Sequence, residues 1–304
     1  MPSMRLLRRL PVTATAQPAQ TYAEAVARLH AWQATETDEI NPLCRTHGLI
    51  HGYQTARSAI FLHGFTNCPH QFHALAAEFY GSGFNVLNVR LPYHGHADRL
   101  TTALSRLTAQ EMIQITGAAI DIAHGLGERV TLLGFSLGGV LAAWAAQTRV
   151  DVDQAVLVSP AIGLRALSQR RSRVAAHLLL GLPNFFRWWD PVHKDSRVGP
   201  AHAYPRYASR GLGALLRLGG IVRAAAQTTK PLAPAILVIT NPCDEVVDNT
   251  ATAGVVQQWR SHGAVIQDHE FPADWRLIHD LMDPTQPDQQ VARVYPQLIE
   301  WIVT

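Results

Sequence analysis

The chain has 304 residues, 47% of them hydrophobic, enough apolar side chain to build a sizeable core and too much for a disordered polymer. A formal charge of +3, with only 16% charged residues, excludes the broad basic footprint of a nucleic-acid binder. At this length the chain is one large domain with an insertion or two smaller ones.

Residues 1–20 include Arg5, Arg8 and Arg9, but Arg8, Arg9 and Pro11 break the continuous apolar run that a secretion signal needs. The segment reads as a fraying terminus. A helix is expected over residues 23–33 and a β-like run over 48–53, within or just after an amino-terminal extension of residues 1–45. From residue 57 short apolar runs alternate with amphipathic segments, the pattern of βα units that build a parallel sheet. Strands are expected at 58–62, 84–89, 130–133, 155–158, 235–239 and 264–269. Helices are expected at 72–79, 108–124, 137–147, 255–261 and 291–302.

Between residues 161 and 230 the alternation stops. The stretch is rich in Arg, Pro, Trp and Tyr, lacks a β-branched run and is too apolar for a linker, so it reads as a helical cap inserted into a core of residues 46–160 and 231–304. Arg165, Arg170, Arg171 and Arg173 read there as the solvated face of a helix. Phe185, Phe186, Trp188 and Trp189 offer either an apolar acyl site or aromatics pinning the cap to the core. No segment approaches the ~20 uninterrupted apolar residues of a membrane span. Cys44, Cys68 and Cys243 are odd in number and show no C-x-x-C spacing, so reduced thiols and a cytoplasmic setting are expected.

Gly134-Phe135-Ser136-Leu137-Gly138 follows an expected strand and opens an expected helix, the context in which a G-x-S-x-G string carries a nucleophile. The sharp turn exposes the serine and leaves room only for glycine beside it. A serine hydroxyl needs a base, and a base needs an acid to hold it. Asp244 lies in the loop ending the strand at 235–239, where ligands gather in such sheets. Asp248, four residues on, is its rival, although an N-cap role suits it. His279 follows the strand at 264–269 and completes the chain order Ser, Asp, His.

These motifs, with His63-Gly64-Phe65-Thr66, Leu91-Pro92-Tyr93-His94-Gly95-His96, Asp244 followed by Val246-Val247, and His279-Asp280-Leu281, resemble the α/β-hydrolase superfamily, and within it bacterial carboxylesterases and monoacylglycerol lipases with a small helical cap. The resemblance covers roughly residues 46–303. It implies an α/β fold and hydrolysis of a small or medium-chain hydrophobic ester or monoacylglycerol through an acyl-enzyme, without cofactor or metal. It implies an oxyanion hole from the backbone N–H groups of Phe65 and Leu137. His63 is expected to bond backbone rather than substrate. Those families usually carry glycine where Tyr93 stands, so that loop is expected to differ. Two rival readings stand beside this one. His94-Gly95-His96-Ala97-Asp98 opens like a zinc signature whose sixth position here is Arg99, and a receptor on the same fold would bind a ligand without turning it over.

Overall fold

The computed structural model describes residues 15–192, 194 and 199–303; Arg5, Arg8 and Arg9 lie outside them. In chain order the elements are α1 (Tyr22–Ala34), β1 (His47–Leu49), β2 (Thr55–Leu62), α2 (His73–Gly81), β3 (Asn85–Val89), α3 (Ala109–Leu126), β4 (Gly127–Phe135), α4 (Leu137–Thr148) and β5 (Gln154–Val158). There follow α5 (Gln169–Gly181), β6 (Phe186–Trp188), β7 (Arg206–Ala208), α6 (Ser209–Ala226), β8 (Ala235–Thr240), α7 (Asn249–Ser261), β9 (Ile266–Glu270) and α8 (Val291–Val303).

Seven strands form one sheet in the order β1-β3-β2-β4-β5-β8-β9, parallel throughout except for β1, which runs antiparallel to β3. The inner strands are apolar at nearly every position because helices cover both faces. Alternate residues go to opposite layers: Ile60 and Leu132 pack with α1, α3, α4 and α6, while Phe61, Leu133 and Phe135 pack with α2 and α8. Helix starts follow local chemistry. The Thr108 side chain accepts from the Glu111 N–H to start α3, and Asp248 accepts from the Thr250 N–H to start α7, the N-cap role its position suggests.

The amino-terminal extension is part of the fold. Ala25 and Leu29 of α1 are buried against α3, and the Ala19 N–H donates to the Asp121 carbonyl at 2.8 Å. The β-like run at 48–53 shortens to β1 and turns at Gly52, which has φ +89°.

The insertion departs from the expected all-helical cap. Between α5 and α6 lies an antiparallel ribbon, β6 paired with β7, in which Phe186 sits 4.3 Å from the Arg206 guanidinium and Trp188 5.9 Å from it. Aromatic residues sustain a strand without β-branched neighbours, which is the signal a search for β-branched runs passes over. α6 packs into the core: Leu215, Leu218, Val222 and Ala226 belong to the same buried cluster as α3 and α4.

The cysteines correct the expectation of reduced thiols. Cys44 and Cys68 form a disulfide, with Cα atoms 5.2 Å apart, and Cys243 is the free thiol. The segment before β1 runs back between two loops: the Asn41 N–H donates to the Gly95 carbonyl in the loop after β3, and Ile40 and Cys44 make a small buried cluster with Cys68 in the loop after β2. Their 24-residue separation hides this adjacency, and the bond removes the thiol-based reason for a reducing compartment. Among the described residues no helix is long and apolar enough to cross a membrane.

Candidate active site

β4 ends at Phe135 and α4 begins at Leu137, so the turn between them is a single residue, Ser136, with φ +53° and ψ −109°. The flanking glycines are required by close approach. A Cβ on Gly134 would fall 1.9 Å from the Gly138 carbonyl oxygen, and one on Gly138 would fall 1.9 Å from that of Leu62. Ser136 is clamped from both sides, its N–H donating to Val158 and its carbonyl accepting from Ala161 and Val140. A non-glycine residue held at positive φ costs about 1–3 kcal/mol and persists only under such constraint.

β8 and β9 bring the other two groups to the same sheet edge. The Ser136 hydroxyl donates to His279 Nε2 at 3.0 Å, and His279 Nδ1–H donates to Asp244 Oδ2 at 2.7 Å. The second Asp244 oxygen accepts from the N–H groups of Val246 (2.9 Å) and Val247 (3.0 Å). Burial by itself would raise the Asp244 carboxyl; the hydrogen bond and charge of His279, with those two N–H groups, outweigh it and hold the group below its ordinary value. Asp248 stays at the start of α7, bonded to Thr250. Ser136 is only 6% exposed.

Leu137 is the first residue of α4, and its N–H is one of those a helix leaves without an intrahelical acceptor. Phe65 follows β2 at the same edge, since Leu62 pairs with Gly134 in the sheet register. His63 bonds backbone: its ring lies 2.8 Å from the Gly64 carbonyl and accepts from the Leu91 N–H at 3.1 Å, and burial holds it well below its ordinary value. His94 is buried with Nδ1 on the Pro92 carbonyl. Among the described residues no three His, Cys, Asp or Glu side chains converge in a way that could hold a metal ion.

A profile described as the alpha/beta hydrolase family matches residues 59–294. The chain belongs to that family. No curated protein matches it. Similar solved structures include one from work on LipS and LipT, two metagenome-derived lipolytic enzymes (TM-score 0.64, 18% identity, covering 87% of this chain and 99% of that one). Others are the monoacylglycerol lipase of Paleococcus ferrophilus (0.62, 16%, 85% and 97%) and a soluble variant of monoglyceride lipase from Saccharomyces cerevisiae with a substrate analogue (0.63, 11%, 84% and 90%). At these identities the likeness speaks for the fold alone, a mostly parallel sheet flanked by helices.

Within this α/β-hydrolase fold the loop holding Tyr93 keeps the glycine-type backbone, φ +64°, despite its side chain. The Tyr93 hydroxyl donates to Glu111 at 2.6 Å and Arg106 lies over the ring, contacts that offset the backbone strain. Phe185, Phe186, Trp188 and Trp189 do not share one place. Trp189 donates its indole N–H to the Thr66 hydroxyl at 2.9 Å, beside Phe65, and its ring lies 4.5 Å from Tyr207. Phe186 packs on the core and Trp188 is half-buried, whereas Phe185 is 53% exposed.

Sequence reasoning passed over the residues that join the loops. Gln71 accepts from the Gly64 N–H at 2.8 Å and donates to Asp280 Oδ1 at 2.8 Å, linking the Phe65 loop to the residue after His279. Asn241 donates to the Leu277 and Ile278 carbonyls, tying the Asp244 loop to the His279 loop. His202 of the insertion donates to Asp283 at 2.8 Å, and Asn67 reaches both Asp280 and Asp283. Burial and the Asp283 charge push the Asp280 carboxyl up. Apart from Asp280, which stands in His279-Asp280-Leu281, none of these residues belongs to a motif, so no local signal points to them.

Proposed function

We propose that the chain is a serine esterase that hydrolyses carboxylic esters through an acyl-enzyme. The observation that carries this reading is the unbroken hydrogen-bonded path from Ser136 through His279 to the buried Asp244 carboxylate, set at the head of a helix. Ser136 Oγ attacks the ester carbonyl carbon as its proton passes to His279 Nε2. Asp244 keeps the imidazole in the tautomer whose Nε2 is free to accept, and balances the imidazolium that forms. The N–H groups of Phe65 and Leu137 receive the tetrahedral oxyanion, worth about 3–4 kcal/mol per donor in a water-poor site. Collapse breaks the bond to the alcohol oxygen, which leaves with the proton from Nε2. Water, deprotonated by the same nitrogen, then releases the acid and restores the serine.

Phe65, Tyr207 and Trp189 make successive ring contacts starting from the sheet edge that carries Ser136, and they support an apolar acyl group, in keeping with a small or medium-chain hydrophobic ester or a monoacylglycerol. The lipolytic and monoacylglycerol-cleaving relatives of the same fold support that class. The residues at hand complete the chemistry without a cofactor.

The test is a fluorophosphonate probe and one variant. The probe should label Ser136 alone, and Ser136→Ala should keep its melting temperature while losing p-nitrophenyl butyrate turnover by a factor of about 10⁶. Turnover within tenfold of the parent, or labelling of another serine, rules the reading out.

A further inference from the structure

The path from Ser136 to Asp244 leaves the exterior of the insertion unexplained. Residues 161–230 hold 12 Lys and Arg against 2 Asp and Glu, leaving 14 against 21 for the rest of the chain, so a basic cap sits on an acidic body. α5 carries Arg170, Arg171 and Arg173 and no acidic residue. A surface helix ordinarily turns its apolar stripe inward. α5 packs Ser172, Ala176, Leu179 and Leu180 inward, yet it also leaves Val174 59%, Leu178 54% and the following Leu182 51% exposed. Val174 and Leu178 stand at i and i+4, one above the other along the helix, and Leu182 follows its last turn. Val174 and Leu178, with Leu167, Arg170, Arg171 and Ala175, line a shallow trough of about 370 Å³. Beyond the helix, Phe185 and Trp189 add two more exposed apolar side chains, and Arg187 and Arg210 two more exposed cations.

We propose that this face of the insertion docks on an anionic lipid surface. Val174, Leu178 and Leu182 enter the boundary between headgroups and acyl chains, and the flanking arginines pair with lipid phosphates. Charge disfavours a symmetric pair of copies, which would set the arginine rows of α5 against one another, and a head-to-tail contact of this face with a second copy's acidic body is the alternative that the test separates. Docking is peripheral, since no described helix can span a bilayer. The inference rests on exposure and charge, not on ester hydrolysis.

The test uses the full chain in flotation with vesicles of phosphatidylcholine alone or with one third phosphatidylglycerol. Binding is expected only to the anionic vesicles and weakens as salt rises. Arg170→Gln/Arg171→Gln/Arg173→Gln should weaken it by about a hundredfold, about fivefold for each arginine that reaches the surface. Val174→Ser/Leu178→Ser should weaken it by about tenfold. Both variants should keep the parent melting temperature and turnover of a water-soluble ester, and Ser136→Ala should bind like the parent. Absent or lipid-indifferent binding, or undiminished binding by the arginine variant, overturns the proposal. So does a dimer in sedimentation velocity that Val174→Ser/Leu178→Ser abolishes while no vesicle is bound, which gives the face to a second copy. Intact vesicle binding without ester turnover in the parent keeps the docking and removes the hydrolysis.

Discussion

Asp244→Asn probes the acid through a consequence of its own hydrogen bonds. Two N–H donors, Val246 at 2.9 Å and Val247 at 3.0 Å, converge on one carboxylate oxygen, while the other faces His279 Nδ1 at 2.7 Å. In the asparagine variant the carbonyl must take the first position, because an NH₂ there would meet two donors. The NH₂ therefore meets Nδ1, which can only accept from it, and the imidazole proton moves to Nε2. That nitrogen lies 3.0 Å from the Ser136 oxygen and can no longer take its proton. The expected loss in kcat is about 10⁴, close to 5 kcal/mol of transition-state stabilisation, with little change in KM. Asp248→Asn is the control. Asp248 caps α7 through Thr250, and asparagine caps as well as aspartate, so kcat should change by less than about threefold. Steady-state kinetics on p-nitrophenyl butyrate, with active sites counted by the serine probe, reads both. A kcat for Asp244→Asn within tenfold of the parent, or a larger loss in Asp248→Asn, refutes the reasoning.

Three further outcomes follow from the structure. Without reductant only Cys243 should react with iodoacetamide, and Cys44→Ser/Cys68→Ser should lower stability in denaturant by about 3.5 kcal/mol, the entropy of closing a loop of this span; three reactive thiols would refute the bond. Gln71→Leu strands the Gly64 N–H and one Asp280 oxygen, so it should cost about 2–5 kcal/mol and lower kcat more than it raises KM; an unchanged melting temperature and kcat would deny the link. Burial holds His94 at about 4, against an ordinary 6.5, so it is neutral in the fold where the unfolded chain is protonated. Its stability contribution is full above about pH 6.5 and is lost as pH falls toward 4, on the order of 3 kcal/mol; urea midpoints should show that slope flattened in His94→Gln, and an equal slope would exclude His94 as its source.

The strand and helix order of the core was legible because it is written in periods of two and 3.6 residues and in punctuation by Gly and capping side chains. Gly134, Ser136 and Gly138 were legible for the same reason: the steric demand of the turn acts within five residues. Asp244 and Asp248 were both legible as carboxylates at the end of one strand, with the N-cap position of Asp248 favouring Asp244, but the geometry that joins Asp244 to His279 was not. It depends on β8 pairing with β9, on Asn241 holding the two loops together, and on the Val246 and Val247 N–H groups aiming one oxygen. The aromatic ribbon in the insertion, the packing of α1 and α6 into the core and the Cys44–Cys68 bond were likewise decided in three dimensions. Local preferences act over a turn of helix or a pair of strand residues. The contacts that join Cys44 to Cys68, Gln71 to Asp280 and His202 to Asp283 span 24, 209 and 81 residues, and only the order of strands in the sheet makes them neighbours.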